Sequence, residues 1–286
     1  MYFLPSSRVN VSIELQEGAA VLRGSPSESV GTVLRGVVVV TIAESARIRS
    51  IHARFRGRMR VWWSEGAEPH QIFREEKRTL VDRTWVFLPQ GKHAHVMEKG
   101  VYRYPFEEML RGDLPETIYV EYGSVEYRIK ATVERPGLHY NCTTDHEVHV
   151  ERHPYSAAPE WLEGTQVSDT WEGRVAYTLS IPTVAYGCDD VVPVHLDWQP
   201  EHESTQVRGV ICTLVEHVEY KPVGGMTRRD QRCVAQHAEK FSDGEAGGTW
   251  KRTFFFRLPH SDHRRPTQRV QCDCRTEWIR VKHRLR

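Results

Sequence analysis

Polar and apolar residues alternate with a period of two along most of the chain. Between Ile51 and Val61, the residues Ile51, Ala53, Phe55, Gly57, Met59 and Val61 fall on one side of an extended segment. His52, Arg54, Arg56, Arg58 and Arg60 fall on the other. Successive side chains of a strand point to opposite faces, so this spacing predicts an antiparallel strand with one face in a core and the other in water. The alternation recurs at Val9–Leu15, Thr84–Leu88, Val125–Val133, Val148–Val150, Val175–Ile181, Val192–Trp198, Val207–Val215, Trp250–Leu258 and Trp278–Leu285. Turn-forming runs at Gly24-Ser25-Pro26, Pro89-Gln90-Gly91, Asp243-Gly244 and Gly247-Gly248 separate these stretches. Helical signal is confined to Phe106–Arg111, where one short turn is expected. The fold class that follows is all-β, with immunoglobulin-type sandwich architecture.

The strand order repeats. Strand Gly36–Ile42, a polar turn and the long strand Ile48–Trp63 are mirrored by Val191–Trp198, the turn Glu201–Thr205 and Gln206–Lys221. Ile48 falls on Val207, Ile51 on Val210 and Phe55 on Leu214, an offset of 159 (207 − 48). Further on, Tyr127–Val133 mirrors Ile279–Leu285 at an offset of 152 (285 − 133). Similar order, spacing and strand length predict two tandem related sandwiches, over 1–153 and 171–286. The junction Arg152–Trp171, with Pro154, Pro159 and Gly164, has linker composition, and the linker is placed at 154–170. The first half continues past Val133 through Pro136–Val150, whereas the second stops at Arg286, directly after the counterpart of Val133. The second sandwich is therefore expected to lack its last strand or strands and to leave an open sheet edge, as in a truncated chain.

Composition narrows the possibilities. The 286 residues carry 39 basic and 38 acidic side chains, a balance that argues against a generic nucleic-acid binder. Mean hydropathy is −0.55 and the longest aliphatic run is Val37–Val40, far short of the roughly 20 apolar residues of a membrane span. Eight Trp, eleven Tyr and nine Phe demand a buried core and exclude a disordered chain. The start, Met1–Arg8, has neither the basic nor the apolar region of a secretory signal. No two of the cysteines at 142, 188, 212, 233, 272 and 274 have the spacing of a redox or zinc-ribbon pair. Free thiols in a reducing, cytosolic compartment are expected. The sequons Asn10-Val11-Ser12 and Asn141-Cys142-Thr143 point the other way, to a secreted module.

Candidate chemistry is sparse. His93-Ala94-His95 projects two imidazoles from one strand face, but no third ligand is identifiable, and His146-Glu147-Val148-His149 lacks a zinc-protease pattern. No nucleophile elbow is present, and Asp189-Asp190 and Glu107-Glu108, as neighbours on strands, would point to opposite faces. No catalytic residue, metal site or cofactor is assigned. The sharpest feature is the ladder Arg54, Arg56, Arg58, Arg60, with guanidinium groups about 7 Å apart on one strand face. It could track an acidic or phosphorylated peptide or anionic lipid headgroups. Alternatively it is a solvated face, neutralised by Glu75 and Glu76 on the strand Gln71–Thr79.

Two stretches resemble a known family. Gly100-Val101-Tyr102-Arg103-Tyr104-Pro105-Phe106, then Leu114-Pro115, then Val125–Val133 with Tyr127, Ile129 and Ala131, resembles the amino-terminal signature of the arrestin family. Tyr177–Pro182 followed by Ala185-Tyr186-Gly187-Cys188-Asp189-Asp190-Val191-Val192-Pro193-Val194 resembles the carboxy-terminal domain of fungal arrestin-related (α-arrestin) proteins. In this pattern Pro105 is expected to stop ladder pairing, with Phe106 plugging the end of a sandwich, and Pro182 to end the strand that opens the second domain. The resemblance implies a non-catalytic, cytoplasmic adaptor recruited peripherally to the plasma membrane or endosomes. It would bind cytoplasmic tails of membrane transporters or receptors and recruit a HECT-type ubiquitin ligase for endocytosis. Ligase recruitment in the family uses Pro-Pro-x-Tyr, which does not occur here, so that partner is implied by the family alone. Two other readings stay open: an arrestin-fold sorting scaffold like the retromer cargo subunit, acting without ubiquitin, and a secreted β-sandwich.

Overall fold

The computed structural model describes residues 9–66, 69–153, 163–202, 204–241, 249–260 and 270–286. The chain divides into two compact units, Met1–Tyr155 and Ser156–Arg286, and every regular element among the described residues is a strand. No helix there is long and apolar enough to cross a membrane. The turns expected at Asp243-Gly244 and Gly247-Gly248 lie outside the described residues.

The first unit contains β1 (Val9–Leu15), β2 (Ala19–Arg23), β3 (Thr32–Ile42), β4 (Ala46–Ile48), β5 (Ser50–Glu65), β6 (Ile72–Leu88), β7 (His95–Met97), β8 (Gly100–Leu110), β9 (Ile118–Val120), β10 (Gly123–Glu134) and β11 (Cys142–His153). One sheet has the order β1-β3-β8 and the other β2-β11-β10-β5-β6, with β9 on β10; β4 and β7 form a separate pair. Their inward faces are the alternating apolar positions: Val38, Val40 and Ile42 from one sheet, Ile51, Phe55, Ile129 and Val133 from the other, all buried. The segment read as one strand from Ile48 is divided, because Ile48 pairs with His95 in the small sheet while β5 starts at Ser50.

Two aromatic rings in this core lie over glycines. Gly36 sits opposite Phe106 on β8, and Gly57 opposite Tyr127 on β10. A Cβ on either glycine would come within 2.5 Å of the facing ring, so the rings occupy space that any other residue would fill. Phe106 also packs against Trp85 at 4.7 Å. Pro105, however, does not stop the ladder: β8 runs through it to Leu110, with Pro105 opposite Val37. β8 is an edge strand, where a missing N–H can face away from the ladder. The helical turn expected at Phe106–Arg111 is likewise replaced by strand up to Leu110, since Phe106 and Leu110 are both buried on one face.

The second unit contains β12 (Thr165–Trp171), β13 (Val175–Ile181), β14 (Val191–Pro200), β15 (Gly209–Tyr220), β16 (Arg228–Lys240), β17 (Trp250–Arg257), β18 (Cys274–Arg275) and β19 (Ile279–Leu285). Its sheets have the orders β12-β13-β14-β17 and β16-β15-β19-β18. The core joins Val192, Val194, Leu196 and Trp198 to Cys212, Leu214, Phe254 and Phe256, and Trp198 stacks on Phe241 at 4.6 Å. Of the stretch expected as a linker, 154–162 lies outside the described residues, and Thr165 onward pairs along β13 as β12. The strand ending at Ile181 stops before Pro182, which has no N–H to continue the ladder.

Both units are β-sandwiches, and their pairings match. β10 pairs Val133 with Ile51, and β19 pairs Leu285 with Leu214. With Val133 and Leu285 as counterparts, Ile51 corresponds to Leu214, four residues beyond the Val210 suggested by the sequence offset. The difference is even, so the buried face is unchanged.

Candidate functional site

The outer face of the five-strand path in the first unit carries a cluster of charged side chains. Because Ile51, Ala53, Phe55 and Met59 are buried, the intervening Arg54, Arg56, Arg58 and Arg60 are turned to solvent on β5. The next strand, β10, buries Tyr127, Ile129 and Ala131 and so presents Glu126, Arg128, Lys130 and Thr132 on the same outer face. An open groove of about 650 Å³ runs over these two strands, lined by six Arg and Lys side chains against two carboxylates, Glu126 and Asp145. Sequence reasoning found the four arginines and missed Arg128 and Lys130, which lie some seventy residues away and join them only through the β5–β10 register.

That register places like charges directly opposite each other, Arg56 against Arg128 and Arg54 against Lys130. Such pairs are destabilising on an isolated sheet. Part of the charge is answered from β6. Asp82 accepts from Arg54 Nε at 2.7 Å and Nη2 at 2.6 Å, and from Arg56 Nε at 3.1 Å. The Arg54 hydrogen bond, against some burial and helped by Arg56, holds the Asp82 carboxyl below its ordinary value. Glu75 accepts from Arg60 at 2.6 Å and lies 2.6 Å from Lys77; its carboxyl is held down by Lys77 first and Arg60 second. Arg60 also sits over the Trp62 ring, 5.3 Å from its centroid. Arg58 and Lys130 have no hydrogen-bond or ion-pair partner among the described residues.

The neutralising partner expected beside Glu75 was Glu76; the residue that bridges Arg54 and Arg56 is instead Asp82. Asp82 and Glu75 are seven apart and would point to opposite faces of a regular strand. A register shift between Gly57 and Arg58, where Gly57 pairs with Val81 and Arg58 with Thr79, leaves Leu80 as an extra residue on β6. The bulge inverts the parity and brings both carboxylates to the arginine face.

The other sequence candidates do not assemble into chemistry. His95 is engaged with the Pro89 carbonyl at 3.1 Å, while His146 and His149 are an odd number of residues apart on β11. Among the described residues no three His, Cys, Asp or Glu groups are placed to hold a metal. Asp189 and Asp190 lie in a turn between β13 and β14 and are used separately: Asp189 holds His260 at 2.7 Å, and Asp190 accepts from the Gly187 N–H at 2.6 Å. Asn141, in one sequon, accepts from the Arg135 N–H at 3.1 Å.

A second charged cluster is internal. Glu216 of β15, 2% exposed, accepts from Arg232 at 2.5 Å and faces His283 at 3.4 Å, while His283 bonds Asp273 at 2.6 Å. Burial opposes the His283 imidazolium, but Asp273 and Glu216 overcome it and raise its pKa to about 9. Burial opposes the Glu216 carboxylate as well, but His283 and Arg232, the latter from β16, hold its carboxyl below the ordinary value. Folding thus favours a proton on His283 that an unfolded chain loses near pH 6.5. Its contribution is complete below about pH 6.5 and is lost as pH rises through about 9. Denaturation of the chain between pH 6 and 10 should show the second unit losing roughly 2–3 kcal/mol over that window. A His283→Gln variant should flatten that slope; an unchanged slope would remove His283 from the account.

Comparison with known proteins agrees with the architecture. Residues 25–153 match the family model "Arrestin (or S-antigen), N-terminal domain", and residues 171–286 match "Arrestin (or S-antigen), C-terminal domain". An arrestin domain-containing protein of Schizosaccharomyces pombe is 25% identical over 299 residues, covering 98% of this chain and 48% of that protein. The HECT-type ubiquitin ligase-interacting protein creD of Emericella nidulans is 27% identical over 210 residues, covering 71% of this chain and 35% of its own length. A further S. pombe protein, assigned by its name to the arrestin-related trafficking adapters, is 25% identical over 221 residues, covering 66% and 44%. The chain spans less than half the length of each of these relatives.

Proposed function

The chain belongs to the arrestin family, and on that premise we propose that it is a non-catalytic adaptor whose first sandwich grips acidic segments in the cytoplasmic tails of membrane transporters or receptors. In this reading the chain also delivers the bound protein to a HECT-type ubiquitin ligase for endocytosis and sorting, a role supported by relatives named as HECT-type ubiquitin ligase-interacting and as an arrestin-related trafficking adapter. It works in the cytoplasm, recruited peripherally to the plasma membrane or endosomes by what it binds. Residues 1–153 carry the tail contact, and 171–286 form the companion domain.

The observation that carries the reading is the pairing of Arg56 with Arg128 and Arg54 with Lys130 across β5 and β10, in a groove where Lys130 and Arg58 have no ion-pair partner among the described residues. An anionic strand laid along the groove relieves repulsion that the sheet otherwise bears, and an extended acidic peptide matches the roughly 7 Å spacing of alternate residues. Binding of a fluorescent acidic or phosphorylated tail peptide to the chain tests this. Reversing Arg54, Arg56, Arg58 and Arg60 to Glu should weaken binding by about 10–100-fold, and added salt should weaken the parent likewise. Arg58→Gln alone breaks no ion pair among the described residues and sets no like charge opposite Glu126, so it should weaken binding without changing stability. Undiminished binding by the fourfold variant would refute the groove as the tail site.

A further inference from the structure

Several connections of the first unit leave the sandwich at one end. In one sheet Val9, which begins β1, pairs with Ile42, which ends β3, and Ile42 pairs with Gly100, which begins β8. In the other, Ser50 at the start of β5 pairs with Glu134 at the end of β10, and Ile51 with Leu88 at the end of β6. The ends are tied together: the Arg49 N–H donates to the Glu134 carbonyl at 2.7 Å, and the Cys142 thiol to the Val9 carbonyl at 3.3 Å. The connections 43–49, 89–99 and 135–141 therefore share this end, the first two pairing through β4 and β7. The last of them is a built turn. Gly137, at φ +70°, follows Pro136, and Asn141 Oδ1 accepts the Arg135 N–H at 3.1 Å across its base. Leu138 and Tyr140 do not tuck down onto the sandwich; they are the two most exposed large apolar side chains among the described residues, at 102% and 93%. On the neighbouring connections Arg47, Arg49, Lys92 and Lys99 are all exposed, against Glu44 and Glu98. None of these cations is in an ion pair among the described residues.

We propose that this end of the first sandwich rests on an anionic membrane, with Leu138 and Tyr140 dipping into the headgroup layer and Arg47, Arg49, Lys92 and Lys99 drawn to its phosphates. Two side chains on one tip are too small a patch for a stable protein interface, which buries about 800 Å² on each partner. A bilayer needs no matching pocket. Leucine gains from the acyl boundary, and tyrosine, with an apolar ring and a polar hydroxyl, suits the interfacial layer. One apolar contact holds a membrane only marginally, and the exposed cations supply the second attraction. Charge also selects lipid over a second copy of the chain, because an isologous contact at this end would bring the same cations together. Lipid contact does not require tail binding, so the two readings fail separately. They meet in space: Lys130 and Thr132 form the end of the groove next to this tip, so a tail leaving the bilayer reaches that end first.

Flotation of the whole 286-residue chain with lipid vesicles tests the contact. The parent is expected to rise with phosphatidylcholine vesicles carrying about 30% phosphatidylserine, to stay behind with phosphatidylcholine alone, and to be released by added salt. Leu138→Ser combined with Tyr140→Ser should weaken binding by about 10-fold or more. The thermal midpoint and the affinity for the acidic tail peptide should be unchanged, since neither side chain is buried in the core. Lys92→Glu combined with Lys99→Glu should weaken flotation by a similar factor. Undiminished flotation of the double serine variant, no flotation of the parent with phosphatidylserine, or equal flotation with neutral vesicles would each overturn the contact. Loss confined to the variant with Arg54, Arg56, Arg58 and Arg60 reversed to Glu would assign the lipid to the groove and overturn the tip. A dimer in sedimentation equilibrium that the double serine variant dissolves would put a second copy in place of the membrane.

Discussion

Replacing Tyr127 with alanine is expected to destabilise the first sandwich by about 3–5 kcal/mol. Tyr127 is fully buried, lies over Gly57 on the neighbouring strand, and stacks with Phe55 at a centroid distance of 6.1 Å. Its hydroxyl donates to the Pro115 carbonyl at 2.7 Å. Truncation leaves a cavity that Gly57 cannot help to fill, since it has no side chain to lean inward. Tyr127→Phe keeps the ring and loses only the bond to Pro115, so it should cost about 1 kcal/mol. Urea denaturation of both variants, with hydrogen exchange on β5 and β10 to localise the loss, separates the two contributions. Equal stability of Tyr127→Ala and Tyr127→Phe would show that the ring does not support this core.

Arg152→Leu should cost a similar amount, about 3–5 kcal/mol, through a different mechanism. The guanidinium is largely buried and donates to the carbonyls of Gly24 and Gly112 at 2.9 Å each and of Leu114 at 2.7 Å. Its Nε faces the Glu116 carboxylate at 3.7 Å. One side chain on β11 thus fastens the turn after β2 and the Leu114–Glu116 segment. Leucine would leave three carbonyls and a buried carboxylate without that partner. Burial already holds the Glu116 carboxyl above its ordinary value, and loss of the cation raises it further. The destabilisation should therefore shrink as pH falls and Glu116 takes up a proton, and Glu116→Gln in the Arg152→Leu chain should restore part of the stability. A pH-independent loss would mean that the carbonyl bonds alone account for Arg152.

These two residues also explain why short motifs identified the family. Leu114-Pro115 and the Tyr127 strand lie close in the chain and also meet physically, because the Tyr127 hydroxyl and, from 38 residues further on, the Arg152 guanidinium both bind the turn that Leu114 and Pro115 form. Likewise Phe106 follows Pro105 on an edge strand because its ring fills the space over Gly36. The period-two pattern was legible for the same reason: a strand buried on one face must alternate, as Ile51 to Val61 does. Less legible were the points where pairing departs from local pattern. Pro105 reads as a strand end, yet it is accommodated because β8 has a neighbour on one side only. Arg152 reads as the start of a polar junction, yet it is clamped inside the first unit.

The sequence by itself determined the two sandwiches, the residues of their cores and the four arginines on one face of β5, because each follows from alternation along a single strand. It could not determine what those arginines face. Arg128 and Lys130 join them through the pairing of β5 with β10, which sets the register between segments some seventy residues apart. Asp82 and Glu75 share their face only because Leu80 bulges out of β6 and reverses the parity of the residues from Val81 to Val86. Register and bulges are properties of pairs of strands, chosen by packing across the sheet, and one strand's sequence does not contain them. The charge of the groove was decided there.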